Sequence, residues 1–108
     1  MNVTELAKSL GATVVCGDVE RTVSGCYIGD LLSLAMSRVQ KDYVWITIQT
    51  NINVAAVATL TEAGCVLLCD GCSPDENMAK KADAEGIAIL RSGLSAYELA
   101  KKLSELGI

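Results

Sequence analysis

The sequence contains no histidine and no phenylalanine, and it has a single proline and a single tryptophan. The lack of histidine removes the commonest general base, the commonest metal ligand and the commonest pH switch together. No apolar run approaches the roughly 20 residues that cross a bilayer. Residues 1–6 also lack the basic and apolar segments of a signal peptide. These absences predict a cytoplasmic protein that does not contact a membrane.

The charge balance is acidic, with 9 basic and 13 acidic residues and a net charge of −4. A chain of this charge gains little from counterion release on a polyanion, because that gain comes from basic side chains that neutralise phosphates. The pairs Lys80-Lys81 and Lys101-Lys102 lie among acidic neighbours. We therefore expect no nucleic acid among the partners.

The five cysteines are an odd number, which predicts reduced thiols in a reducing compartment. Cys65, Cys69 and Cys72 have the C-x3-C-x2-C spacing of some iron–sulfur clusters. If residues 65–69 form a strand, however, the first two Cα atoms lie about 13 Å apart, too far to share one cluster. We expect small buried thiols, with no metal and no cofactor.

The length of 108 residues predicts one domain, residues 1–108. Residues 43–70 read as a buried strand, a polar turn, an apolar helix and a second buried strand, the pattern of a right-handed parallel crossover. Further strands are predicted at 13–16, within 19–28 and at 87–90, and further helices at 3–10, 30–39, 75–85 and 95–106. The predicted fold is α/β, a three-layer α/β/α arrangement with a mixed, centrally parallel sheet of about five strands.

The helix predicted at 54–63 is apolar on nearly every side. A helix of this kind is covered by more than one sheet face. A second subunit is one candidate for the cover, and a homodimer is predicted on this ground.

Polar residues follow each of the three predicted central strands. Because the carboxyl ends of parallel strands share one edge of the sheet, these residues are predicted to surround a small ligand, a nucleotide or a phosphorylated metabolite. They are Thr47, Gln49, Thr50, Asn51 and Asn53 at the end of the first strand or after it, Asp70, Gly71, Cys72 and Ser73 after the second, and Arg91, Ser92 and Gly93 after the third. The alternative is purely structural, with the asparagines and Ser73 as helix caps and Arg91 paired with a surface carboxylate.

No catalytic set emerges from the sequence. Neither G-x-x-x-x-G-K-[ST] nor G-x-G-x-x-G occurs, no nucleophile has a base at a recognisable spacing, and no two carboxylates share a predicted buried face. We therefore predict no enzymatic activity. An enzyme acting through Asp70, Cys72 or Arg91 is the least favoured alternative.

The segments 21–33, 44–47 and 53–58 resemble the DRTGG domain, a family named for an Asp-Arg-Thr-Gly-Gly motif; Cys26 stands at the second glycine of that motif. The resemblance spans nearly the whole chain. It implies a regulatory or accessory module, with a fold similar to the N-terminal domain of HPr kinase/phosphorylase, of a kind that accompanies CBS domains or precedes catalytic domains. The positions that match the motif are Arg21, Gly25, Gly29, Asp30, Thr47 and Asn53, and Asp30 also suits the N-cap of the next helix.

Together these observations predict a non-catalytic regulatory or ligand-sensing domain that acts as a homodimer or by docking to a partner enzyme. The alternative is a protein–protein interaction module without a small ligand.

Overall fold

The computed structural model describes the chain from Met1 to Ile108. Helices and strands alternate regularly along the chain after the first two strands. In chain order they are α1 (Val3–Leu10), β1 (Thr13–Cys16), β2 (Cys26–Ile28), α2 (Leu32–Arg38), β3 (Val44–Thr47), α3 (Ile52–Thr61), β4 (Cys65–Leu68), α4 (Glu76–Ala84), β5 (Ala88–Arg91) and α5 (Ala96–Glu105).

The five strands form one mixed sheet in the order β1-β5-β4-β3-β2. Strands β2 to β5 are parallel, and each is hydrogen-bonded to the strand that follows it in the chain. One crossover helix connects each such pair. Strand β1 pairs antiparallel with β5, so that Thr13 lies opposite Arg91. The predicted fold class, a three-layer α/β/α arrangement with a centrally parallel sheet, is confirmed. No helix is both long and apolar enough to span a bilayer.

The helices cover both faces of the sheet because successive strand side chains point to opposite sides. Val44 and Ile46 of β3 face the core formed with α1 and α5. Trp45, between them, faces the core formed with α2, α3 and α4. The central strands β3 and β4 are buried along their whole length, which explains their continuous apolar sequence.

Helix α3 owes its all-round apolar character to its neighbours in the same chain. It lies between α2 and α4 and packs against both. Val54, Ala55, Val57 and Ala58 are buried, whereas Leu60 is 71% exposed. The cover predicted from a second subunit is therefore supplied by two helices of this chain, and the composition of α3 does not require a dimer.

Three of the predicted caps involve candidate site residues, and two of them are wrong. Asn51 caps α3 by accepting the N–H of Asn53 at 2.9 Å. Helix α4 is capped by Asp75, which accepts the N–H of Met78 at 2.7 Å, and not by Ser73. Helix α2 has no side-chain cap, because the carboxylate of Asp30 is engaged elsewhere.

Candidate functional site

The residues that follow β2, β3, β4 and β5 lie along one edge of the sheet, here called the carboxyl edge, because these strands are parallel. They form two separate groups, a network centred on Asp30 after β2 and a cleft beside Arg91 at the end of β5. Strands β2 and β5, which lead into the two groups, are separated by β3 and β4 and lie about 14 Å apart at the usual strand spacing. The residues predicted as one ligand site are therefore divided.

The Asp30 network joins the ends of β2 and β3. One carboxylate oxygen of Asp30 accepts the hydroxyl of Thr47 at 2.8 Å and the backbone N–H of Ile48 at 3.0 Å. The side-chain amide of Gln49 donates to the carbonyl of Asp30 at 3.1 Å, and its oxygen accepts from the amide of Asn51 at 3.4 Å. Asp30 therefore fixes the position of β3 relative to β2, and no helix N-terminus uses it.

The remaining predicted residues of this half are structural or solvated. The carbonyl of Thr50 accepts the N–H of Asp75 at 2.9 Å, which holds the start of α4 against the β3–α3 turn. The side chains of Asn53 and Ser73 are exposed and lie outside the network. The donors of these two side chains remain free, whereas those of Thr47, Gln49 and Asn51 are used within the network.

The chain parts in two directions between β4 and β5. Strand β4 leads to α4 on one face of the sheet, and β5 leads to α5 on the opposite face. In open α/β sheets ligands bind at such a switch point, because the diverging connections leave a crevice. Here the two connections are hydrogen-bonded to each other. The N–H of Gly71 donates to the Ser92 carbonyl at 2.9 Å, and the N–H of Asp70 donates to the Leu94 carbonyl at 2.8 Å.

These bonds leave a small open cleft of about 160 Å³ beside the switch point. Its lining is polar, without a hydrophobic side chain, and consists of Gly11, Thr13, Gly71, Arg91, Ser92 and Gly93. Drug-sized ligands occupy pockets of roughly 300–1,000 Å³. The cleft therefore fits a group the size of a phosphate or carboxylate, with the rest of a larger ligand outside it.

Arg91 is the one charged residue of the cleft, and no carboxylate pairs with it. Its guanidinium donates to the carbonyl of Gly71 at 3.2 Å, which holds it across the β4–α4 turn. Its Nε is inaccessible to solvent and has no hydrogen-bond partner. A buried donor without an acceptor is unfavourable by about 1–3 kcal/mol, but a donor closed to solvent is also closed to a ligand. An added anion would bond to the terminal nitrogens of the guanidinium and would also interact with its charge.

Sequence reasoning missed two residues of the cleft, Gly11 and Thr13. They reach Arg91 because β1 runs antiparallel to β5 and its first residue lies opposite the last residue of β5. Only the register of that pairing could have indicated them. Asp70, which was predicted as a site residue, lies beside the cleft, next to Gly71 in the chain. Its backbone φ is 55°, and its side chain is exposed.

The family-motif positions occupy opposite ends of β2. Gly25 has φ of 75°, and a Cβ there would overlap the ring of Tyr43. A Cβ at Gly29 would lie 2.6 Å from the hydroxyl of Tyr27. Arg21 donates to the carbonyl of Glu62 at 3.3 Å, at the end of the sheet away from the cleft. The motif glycines thus serve backbone geometry, and Gly29, Asp30, Thr47 and Asn53 are the motif positions at the carboxyl edge.

The thiols do not gather at one point. Cys65 and Cys69 pack into the core beneath α1 and α5, whereas Cys72 packs against the opposite core. No group of three potential metal ligands occurs, and all five thiols are unpaired. Burial raises the pKa of Cys65 to about 12. Burial, together with the Asp70 carboxylate 3.6 Å away, raises the pKa of Cys69 to about 11.

We expect Cys69 to alkylate with iodoacetamide about a hundredfold more slowly than an ordinary thiol at pH 7.5, because the shift in its pKa from 9.0 to about 11 depletes the reactive thiolate. Peptide mapping by mass spectrometry measures the rate, with urea-unfolded protein as reference. Equal rates in the two states would contradict the expectation. The raised pKa also contributes stability below pH 9, and this contribution is lost as the pH rises towards 11.

The sheet, its two helical layers and the polar cleft define a small three-layer α/β domain. A family model described as the DRTGG domain matches residues 5–106, and the chain belongs to the DRTGG domain family. A search of curated proteins returned no match.

A solved structure shares the fold, namely the CBS and DRTGG domains of the regulatory region of Clostridium perfringens pyrophosphatase, in complex with its activator, diadenosine tetraphosphate. The TM-score is 0.79 at 10% sequence identity, and the match covers 94% of this chain. It covers 45% of that chain, so this protein corresponds to less than half of the regulatory region. At this identity the likeness establishes the fold alone.

Proposed function

We propose that this protein is a non-catalytic regulatory domain that senses a phosphorylated small molecule, a nucleotide or a phosphorylated metabolite, at the carboxyl edge of its sheet. The observation that carries the proposal is Arg91, the unpaired cation of a polar, phosphate-sized cleft at the switch point. The presence of a DRTGG domain in the regulatory region of a pyrophosphatase crystallised with a dinucleotide activator supports the same class of function.

The proposed ligand places one phosphate in the cleft. The guanidinium of Arg91 supplies charge and donors, and the hydroxyls of Thr13 and Ser92 lie in the same lining. Three glycines complete the lining and let the backbone approach an anion closely. A base or sugar would lie outside, over Asp70 and the rest of the carboxyl edge.

The side chains around the cleft support a regulatory role for this domain. Cys69, the buried thiol nearest to Asp70, has its pKa raised to about 11 by burial and by that carboxylate, so it is a thiol and not a nucleophile at neutral pH. No histidine exists to act as a base. Five unpaired thiols support a cytoplasmic location.

We expect Arg91→Gln to weaken phosphate-ligand binding about tenfold to a hundredfold, because hydrogen bonds to a charged group contribute about 1.5–3 kcal/mol. Titration with inorganic phosphate, AMP, ATP and diadenosine tetraphosphate, followed by amide NMR shifts, measures this. In the wild type the shifts should centre on Thr13, Gly71, Ser92 and Gly93.

Arg38→Gln is the matched control, because Arg38 is an exposed arginine on α2 outside the cleft. It should leave the affinity unchanged. Shifts with none of the four compounds at millimolar concentration, or equal losses in both variants, would count against the proposal.

A second candidate function is an interaction module that docks to an enzyme or to another copy without a ligand. It is favoured by the exposed side chains of Ile28, Leu31, Leu34 and Ile48. The titration separates the candidates, because this module predicts no phosphate-dependent shift.

A further inference from the structure

Strand β2 forms one edge of the sheet, and half of its backbone groups point away from the protein. The N–H of Val44 donates to the Gly25 carbonyl, and the N–H of Gly29 donates to the Ile46 carbonyl. These bonds place the backbone groups of Tyr27 towards β3. The N–H and C=O of Cys26 and Ile28 therefore face outward, beyond the last strand.

Apart from its length of three residues, this edge carries none of the features with which proteins protect an exposed strand. Residues 26–28 include no charge and no proline, and the strand has no bulge. The opposite edge, β1, is interrupted by a bulge between Val14 and Cys16, and the thiol of Cys16 contacts the Ala79 carbonyl of α4 at 3.6 Å. The β2 edge is thus the one open to a further strand.

Exposed apolar side chains cluster beside it. Ile28 is 46% exposed, Leu31 65%, Leu34 41% and Ile48 47%; these four are called the β2 patch. Leu34 follows Leu31 by one turn of α2 and lies on the face of the sheet that α2 covers. Ile28 pairs with Ile46 and points to the opposite face, so the β2 patch flanks the edge on both faces. Together the four half-exposed side chains present roughly 400 Å² of apolar surface along this edge.

We propose that a second copy of this chain binds here, with the two β2 strands antiparallel about a two-fold axis at Tyr27. A second copy is the expected partner because the outward N–H and C=O groups of Cys26 and Ile28 lie symmetrically on either side of Tyr27. Cys26 of one copy lies opposite Ile28 of the other, and each pair exchanges two hydrogen bonds. All four outward groups of each strand are satisfied, which joins the two sheets into one of ten strands.

The side chains are also self-complementary. The two copies of Tyr27 face each other at the axis, where Cβ atoms are closest, and no like charges meet within the paired strands. The β2 patches continue the contact on both sides of the axis. The two patches supply about 800 Å² of apolar surface, and a stable dimer of about 1,200 Å² in total needs the adjoining polar surface as well. The inference is independent of the ligand proposal, because no residue of the Arg91 cleft takes part.

Light scattering coupled to size-exclusion chromatography tests the proposal on the full chain. The wild type should be a dimer at high micromolar concentration and become monomeric on dilution. Ile28→Lys places a charge on the paired edge and should raise the dissociation constant more than about tenfold. Val14→Lys, a substitution of similar exposure on β1, should leave it unchanged.

Leu31→Asp keeps the test decisive if Ile28→Lys unfolds the chain. Leu31 occupies the N-cap position of α2 without a side-chain bond, so aspartate there should stabilise the helix while it charges the β2 patch. This variant should be folded by circular dichroism and monomeric. A wild type that stays monomeric at millimolar concentration, a dimer that survives both variants, or equal disruption by Val14→Lys would overturn the proposal.

Discussion

Replacing Trp45 by alanine is expected to lower the free energy of unfolding by about 3–5 kcal/mol, with a fall in Tm of roughly 15–30 °C. The side chain is inaccessible to solvent, in the core beneath α2, α3 and α4. Its Nε1–H donates to the carbonyl of Gly29 at 3.0 Å. Truncation therefore leaves a cavity at the centre of the domain and an unpaired carbonyl next to Asp30.

Trp45→Phe separates the two effects. The variant keeps most of the apolar volume but removes the indole donor, and we expect it to lower the free energy of unfolding by about 1–2 kcal/mol. Urea denaturation followed by circular dichroism is the suitable measurement, because Trp45 is the only tryptophan and its fluorescence disappears with it. A change below about 1 kcal/mol for the alanine variant would contradict its position in the core.

The second large effect is expected at Gly17, which follows β1. Its φ is 93°, and a Cβ there would overlap the backbone at Ile87 and Ala88, where β5 begins. Alanine at this position combines an unfavourable backbone conformation of about 1–2 kcal/mol with a clash of about 1–3 kcal/mol. We expect Gly17→Ala to lower the free energy of unfolding by roughly 2–5 kcal/mol, as measured by urea denaturation.

Gly86→Ala provides the matched control. Gly86 has a similar positive φ of 72°, but an added Cβ would meet no atom within 4 Å. Only the backbone cost should appear, about 1 kcal/mol. Equal losses in the two variants would show that the close approach of β1 to β5 is not what requires glycine at position 17.

The central strands could be predicted because burial on both faces of the sheet dictates their composition. Residues 43–49 and 65–70 are almost continuously apolar, and β3 and β4 lie within them. The segment 19–28 contains β-branched residues throughout, yet only residues 26–28 form a strand. Residues 19–23 bond instead to the start of α1, where the N–H of Val3 donates to the Arg21 carbonyl. That partner is distant in sequence and leaves no periodic signal.

The role of Asp30 shows why local reasoning about caps fails. An aspartate before an amphipathic segment is a good N-cap, but here Thr47 and Ile48 compete for the carboxylate. Parallel pairing of β2 with β3 brings these donors close, and no sequence spacing encodes that distance. For the same reason the sequence could not show that the predicted ligand residues form two groups. The separation between Asp30 and Arg91 depends on the order of strands in the sheet.

The sequence was misleading about what covers helix α3, and it was incomplete about which residues line the cleft. The sequence of α3 indicated a cover, but could not show that α2 and α4 provide it. Arg91 was predicted from its position after a strand, whereas Thr13 depends on the antiparallel partner of β5. Local pattern therefore identified candidate residues, and strand order decided which of them meet.

The position of β1 has a consequence for synthesis of the chain. Strand β1 leaves the ribosome second among the elements, but its only partner in the sheet is β5, the last strand to emerge. Strands β2, β3 and β4 can add to one another in the order in which they are made. The antiparallel seam closes only after Arg91 is free of the exit tunnel, so the nascent protein carries an unpaired first strand until its last strand has emerged.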